Sequence, residues 1–215
     1  MKETLDDLHE FSVDWRNREI YLQRHHNNSE DDDIESRMAS KFIKNLRALD
    51  AKNSHILIHL SAGGGGEWEQ GMAIYDAISF TQSYVTILIY GSACSMSSII
   101  PQAADVRIMM PHSYMMCHYG SETVADSHNN NKRYFQFCNK FMKNMVEIYS
   151  NKMKDSLYVK EREPKDNLKY AKSLIERKLE GGDWYLSPED AVYYGLADDV
   201  LGSEDYPNMK ALKHG

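Results

Sequence analysis

The sequence predicts an α/β protein built on a mainly parallel sheet. Short apolar runs of β-forming residues recur along it, segments with helical periodicity separate them, and glycine-rich turns stand where strands pass into helices. With 215 residues the chain fits one domain with small appended elements and can bury a substantial core.

The first apolar run gives a strand over 19–22. An acidic run, Glu30-Asp31-Asp32-Asp33, follows and reads as a solvated loop that also places negative charge before a helix. That helix is predicted over 34–49, because Met38, Phe42, Ile43, Leu46 and Leu49 recur at helical spacing. A second strand over 55–60 runs through Ser61-Ala62 into four glycines, Gly63 to Gly66, and then into a helix from about 67 carrying Met72, Ile74, Tyr75 and Ile78. A third strand over 85–90 leads into the turn Gly91-Ser92-Ala93-Cys94-Ser95-Met96 and a short helix near Pro101. Two further strands are expected over 106–110 and 113–118.

Beyond them a polar stretch, 121–131, precedes a long helix over 132–153 with apolar faces from Phe135, Phe137, Phe141, Met145, Ile148 and Tyr149. A charged linker with Pro164 precedes a helix over 167–179, then a Gly181-Gly182-Asp183 turn into a short strand. Ser187-Pro188-Glu189-Asp190 is a helix start, with Ser187 as N-cap and Pro188 in the first turn, and Gly195 ends that helix. The tail from 203 is expected to be poorly ordered.

A formal charge of −7 and the lack of a basic stripe argue against a nucleic-acid partner. Three irregularly spaced cysteines, Cys94, Cys117 and Cys138, suggest neither a disulfide framework nor a zinc ribbon, which points to a reducing compartment. The first residues have no apolar signal core, and no apolar run approaches the roughly 20 residues that span a bilayer. A soluble, cytoplasmic protein without membrane contact is therefore expected.

Chemistry concentrates at three places. Ser95 sits where a strand turns into a helix, which exposes its hydroxyl and aims the first free N–H groups of the helix at whatever the hydroxyl attacks. It needs a base, and of the nine histidines His118 is the one at the end of an apolar strand, next to a loop. A core histidine satisfied by backbone is the bland alternative. Asp183, after two glycines and before Trp184-Tyr185-Leu186, is placed to be desolvated on one side, or is simply a turn aspartate. The glycine run lacks both the P-loop ending and the dinucleotide-binding spacing; its other use is close backbone approach to an oxyanion. His25-His26 and Cys117-His118 make poor metal sites, since neighbours on a strand face opposite ways and no third ligand is suitably spaced. No metal or other cofactor is expected. Cys94 reads as a small core residue.

Four segments together resemble the family of Clp protease proteolytic subunits, within the broader crotonase-like fold. They are Gly71-Met72-Ala73-Ile74-Tyr75-Asp76, the Gly91 to Met96 turn, Met116-Cys117-His118, and Asp183-Trp184-Tyr185-Leu186-Ser187 with the stretch from Ala191 to Asp198. The likeness covers about 19–201. It implies repeated β-β-α units with a mainly parallel sheet and a protruding handle over about 121–153, in a peptidase domain of 19–202 between an N-terminal segment, 1–18, and a C-terminal tail, 203–215. Carried over by residue, Ser95 is the nucleophile, His118 the general base and Asp183 the group that orients the imidazole. The oxyanion hole uses the Met96 N–H and one loop glycine. Counting from the preceding strand gives Gly64; counting from the following helix gives Gly66, favoured because the helix-to-Ser95 spacing then needs no gap.

The resemblance further implies a serine endopeptidase that assembles as a homo-oligomeric ring, heptameric and stacked in the family, takes unfolded proteins or peptides, and works with an ATP-driven ring unfoldase. This chain departs from the family pattern in its loop, where Ala62 and four glycines replace serine-proline-glycine-glycine, leaving the loop more flexible. Tyr119-Gly120 replaces glutamine-proline, and Glu122-Thr123-Val124-Ala125-Asp126-Ser127 replaces a glycine-rich segment that pairs with substrate. The region 154–180 is longer and more charged. Three other readings stay open: a catalytically silent structural ring subunit, a virus-encoded capsid-processing protease, and an acyl-CoA enzyme of the crotonase type using Glu67 and Glu69.

Overall fold

The computed structural model describes residues 8–23, 34–52, 54–121 and 124–213. The acidic run 30–33, the His25-His26 pair, residues 1–7 of the N-terminal segment and Glu122-Thr123 lie outside them. Six strands form the main sheet: β1 (Val13–Asp14), β2 (Glu19–Gln23), β3 (Ile56–Ser61), β4 (Val85–Ile89), β6 (Val106–Met109) and β9 (Asp199–Val200), side by side in that order. All neighbours are parallel except β1 with β2. A second sheet holds β5 (Ser92–Cys94), β7 (Tyr114–Cys117) and β8 (Trp184–Leu186). The expected α/β class with a mostly parallel sheet is the one observed.

Parallel strands buried on both faces read as unbroken apolar runs, and β3 and β4 do so because each face has its own cover. Ile56, Ile58 and Leu60 of β3 enter the larger core, which also takes in apolar side chains of α1 (Ser36–Asp50) and α2 (Trp68–Ser79). The α1 N-terminus is held by Glu35, whose carboxylate accepts from the Arg37 and Met38 N–H groups. Leu57, Leu88 and Ile108 point the other way and are closed over by Leu212. Each such fully buried aliphatic side chain stabilises the fold by about 1.5–3 kcal/mol.

That second face corrects the expectation of a loose tail. Leu212 is 1% exposed, and the Lys213 ammonium lies 2.6 Å from Glu19 Oε1. Glu19 Oε2 accepts from His59 Nε2 at 3.2 Å and from the Tyr21 hydroxyl at 3.0 Å, while Tyr21 stacks on the His59 ring at 4.4 Å.

Further helices among the described residues include α3 (Met96–Ile99), prolonged by a 3₁₀ turn over Ile100–Ala103, α4 (His128–Met153), α5 (Leu157–Lys160), α6 (Asn167–Glu180) and α7 (Pro188–Tyr193). α4 begins four residues before the predicted start because Ser127 caps it by accepting from the Asn130 N–H. Its first half is mostly exposed, while Met145, Val146, Tyr149 and Met153 enter the core. Ser187 caps α7, as its sequence pattern predicts. Part of the charged linker forms α5, capped by Ser156. Among the described residues no helix is long and apolar enough to cross a membrane.

The Glu19 cluster carries a pH signature. The hydrogen bond from His59, then those from Lys213 and Tyr21, outweigh burial and hold the Glu19 carboxyl down at about 2. Its stabilising contribution is therefore complete above the ordinary carboxylate range and is lost as pH falls from about 4.5 towards 2. We expect Glu19→Gln to lower the melting temperature at pH 7, with the gap from wild type closing across that window. A gap of constant size from pH 7 to pH 2, measured by thermal unfolding, would count against this origin.

Candidate active site

β4 ends at Ile89, and Gly91 (φ 58°) turns the chain out of the main sheet into β5, which pairs with β7 in the second sheet. Ser95 follows β5 in a left-handed conformation, φ 54° and ψ −124°, rare for a residue with a side chain. Its N–H donates to the Met116 carbonyl at 2.8 Å, and its carbonyl accepts from the Ser98 N–H at 2.9 Å. The three-residue β5 was not legible in the sequence, which reads there as a turn; pairing with β7 is what makes it a strand.

The glycine loop lies against this turn. The Cys94 N–H donates to the Gly63 carbonyl, the Gly65 N–H to the Ala62 carbonyl, and buried Ser97 Oγ also donates to Ala62 at 2.8 Å. Ile34 brackets Gly66 in a parallel bridge: its N–H donates to the Gly65 carbonyl at 2.7 Å, and its carbonyl accepts from the Glu67 N–H at 2.9 Å. Flexibility expected from four glycines is thus not what the structure shows, because backbone bonds clamp the loop on both sides. Ile34 reads in the sequence only as the start of an amphipathic helix, so its clamping role carried no signal there.

His118 follows β7, and Asp183 precedes β8. These strands are antiparallel with Cys117 opposite Trp184, so the register itself sets His118 opposite Asp183. Asp183 Oδ1 stands 3.4 Å from His118 Nδ1, an approach longer than a closed hydrogen bond; such contacts in empty sites commonly tighten when substrate binds. The pair is partly wet, with side chains 26% and 49% exposed. Tyr185, exposed, reaches the other Asp183 oxygen at 3.5 Å.

Ser95, Met96, Gly66 and His118 all line one cavity of about 670 Å³. Gly64 is not among its lining residues, whereas Gly66 is. Among the described residues, neither the Gly66 nor the Met96 N–H has an acceptor in the backbone hydrogen-bond network. Phe141 and Met145 of α4 form part of the wall, with Phe141 stacked on Trp68 at 5.3 Å, and exposed Glu67 and Glu69 stand at its edge. The chemistry available is that of a hydroxyl, an imidazole with a carboxylate behind it, and unpaired N–H donors around one space. Cys94 is buried, and burial pushes its thiol up, in keeping with a small core residue.

The fold is matched by that of a Clp-type peptidase. The family model for Clp protease matches residues 18–204, and the chain belongs to that family. It is similar to the ATP-dependent Clp protease proteolytic subunit of Deinococcus radiodurans, with 30% identity over 171 residues, 78% of this chain and 76% of the relative.

One contact that sequence reasoning missed is testable. Gly65 has φ 98°, and a Cβ there would stand 2.7 Å from Ser95 Cβ and 2.9 Å from the Cys94 carbonyl oxygen. We expect Gly65→Ala to destabilise by about 2–5 kcal/mol, the sum of a left-handed alanine and an overpacked contact. Chemical denaturation measures it, and wild-type stability in that variant would contradict the close approach.

Proposed function

We propose that the protein is a serine endopeptidase in which Ser95 attacks a peptide carbonyl, His118 takes the hydroxyl proton and returns it to the leaving amine, and Asp183 holds the imidazole and stabilises its cation. The acyl group is transferred to Ser95 and released by water, whose proton also passes through His118. The Gly66 and Met96 N–H groups receive the negative charge that develops on the carbonyl oxygen. The observation that carries this reading is the shared cavity of Ser95 and His118 with the Asp183 carboxylate 3.4 Å behind the ring. The peptidase domain is 19–202. Unfolded proteins or peptides are the substrates, within a homo-oligomeric ring fed by an ATP-driven ring unfoldase. This last step extends the family relationship and the relative's description as ATP-dependent.

The test is labelling with a fluorophosphonate probe in a sample shown by light scattering to be oligomeric. We expect labelling in wild type and none in Ser95→Ala. An oligomer that does not label supports a catalytically silent ring subunit instead.

Asp183→Asn should keep the fold, since its side chain is half exposed, and lower kcat by about two to four orders of magnitude through loss of the correct imidazole tautomer. A fluorogenic peptide assay reads it. Activity within threefold of wild type would remove Asp183 from the mechanism.

A further inference from the structure

Behind Ser95 lies a buried polar chain that the mechanism above does not use. Ser98 Oγ is 2.6 Å from the Ser95 carbonyl oxygen and 2.6 Å from the Tyr149 hydroxyl, and Cys117 Sγ stands 3.8 Å from the same Oγ. Ser98, Tyr149 and Cys117 are all completely buried. Burial pushes the Tyr149 phenol well up and the Cys117 thiol up to about 11, so both keep their protons at neutral pH.

Counting protons fixes the direction of these bonds. A carbonyl oxygen only accepts, so Ser98 spends its single O–H on Ser95. Its two lone pairs are then what remain, and Tyr149 must donate to one of them. The weak Cys117 S–H donor takes the other. Every site on the Ser98 hydroxyl is occupied.

The Ser95 carbonyl belongs to the same planar, trans peptide as the Met96 N–H, and the two point in opposite directions. Whatever grips that carbonyl therefore aims that N–H. Hydrogen bonding to the carbonyl also polarises the peptide and strengthens its N–H as a donor. Ser95 holds a left-handed conformation that persists only when its surroundings enforce it.

We propose that Tyr149 and Ser98 are positioning residues of the oxyanion hole: the Tyr149 hydroxyl donates to Ser98 Oγ, which donates to the Ser95 carbonyl and so orients and polarises the Met96 N–H. The proposal rests on the reading of Met96 as an oxyanion donor. Tyr149 belongs to the buried half of α4, so the relay also ties the long helix to the reacting centre.

The experiment compares wild type, Tyr149→Phe, Ser98→Ala and the double variant, with active sites titrated by fluorophosphonate and rates expressed per titrated site. Tyr149→Phe removes one oxygen from a buried ring. It should lower kcat by about three- to tenfold, less than the loss of an oxyanion donor itself, and leave KM within about twofold of wild type. Affinity for a peptide boronate, which mimics the tetrahedral species, should fall by the same factor, while affinity for a product peptide stays unchanged. In the Ser98→Ala background, Tyr149→Phe should have no further effect on kcat. An active wild type with unchanged kcat in Tyr149→Phe, or substitutions whose effects multiply, overturns the relay alone. A wild type that neither labels nor hydrolyses peptides overturns the catalytic reading and the relay with it. If Tyr149→Phe does not fold, Ser98→Ala and the double variant, which removes both polar partners together, are each compared with wild type: both should lose kcat and boronate affinity by the same factor, and wild-type values in either overturn the relay.

Discussion

The peptide that joins Ser95 to Met96 stands at the junction of the two sheets, and its unusual conformation is a constraint from which much of the architecture follows. Gly91 carries the chain out of the main sheet, and β5 pairs with β7 for only three residues before Ser95 reverses direction. A left-handed serine does not persist alone. Here its N–H is fixed by Met116, its carbonyl by two groups of Ser98, and its Cβ by the close approach of Gly65. The strain is thus held from three directions, by a strand, a helix and a loop.

Those supports are themselves anchored. The Ser98 carbonyl accepts from the Gln102 amide at 3.0 Å, and Gln102 Oε1 accepts from the buried Arg107 guanidinium at 2.7 Å. Arg107 forms a two-point pair with Asp198 at 2.6 and 2.8 Å and also donates to the Gly195 carbonyl. A buried guanidinium with its donors engaged in this way is tolerated; stranding it by removing one partner of such a pair typically costs about 3–5 kcal/mol. A path of hydrogen bonds therefore runs from the Ser95 turn to the β6–β9 edge of the main sheet. At the other end of the site, the His118–Asp183 pair is half wet and not closed. The buried side of the turn is thus closed by hydrogen bonds, while the exposed side is not.

What the sequence disclosed follows from how local its cause was. Strands β3 and β4 were legible because burial on both faces makes them continuously apolar, and the α7 cap because Ser187 and Pro188 act within one turn. Ser95, His118 and Asp183 could be singled out because the segments that carry them together resemble the family's pattern in the same order, although only the β7–β8 register explains why two of them meet. The features that stayed hidden are products of distant pairing. β5 is too short to show a period, and Ile34 meets Gly66 only through the tertiary fold. Ser98 and Tyr149 are separated by 51 positions, and each alone reads as part of a helix. Leu212 lies in a polar tail whose composition gave no sign that it closes a core.

The glycine loop shows why composition is a poor guide to rigidity. Four successive glycines lower the barrier to backbone motion in an isolated chain, and loose behaviour is the natural inference from them. In the folded protein two of them answer separate steric demands. Gly65 has no room for a Cβ because Ser95 is there, and Gly66 has none because the Ile34 backbone is there, 2.4 Å from where a Cβ would sit. Close approach on both flanks is what allows Ile34 and Cys94 to hydrogen-bond the loop directly. The residues that would make the unfolded chain most mobile are thus the ones that let neighbouring backbone come near enough to immobilise it, and the Ile34 hydrogen bonds on either side of Gly66 hold its N–H on the cavity wall against the entropy lost in ordering the loop.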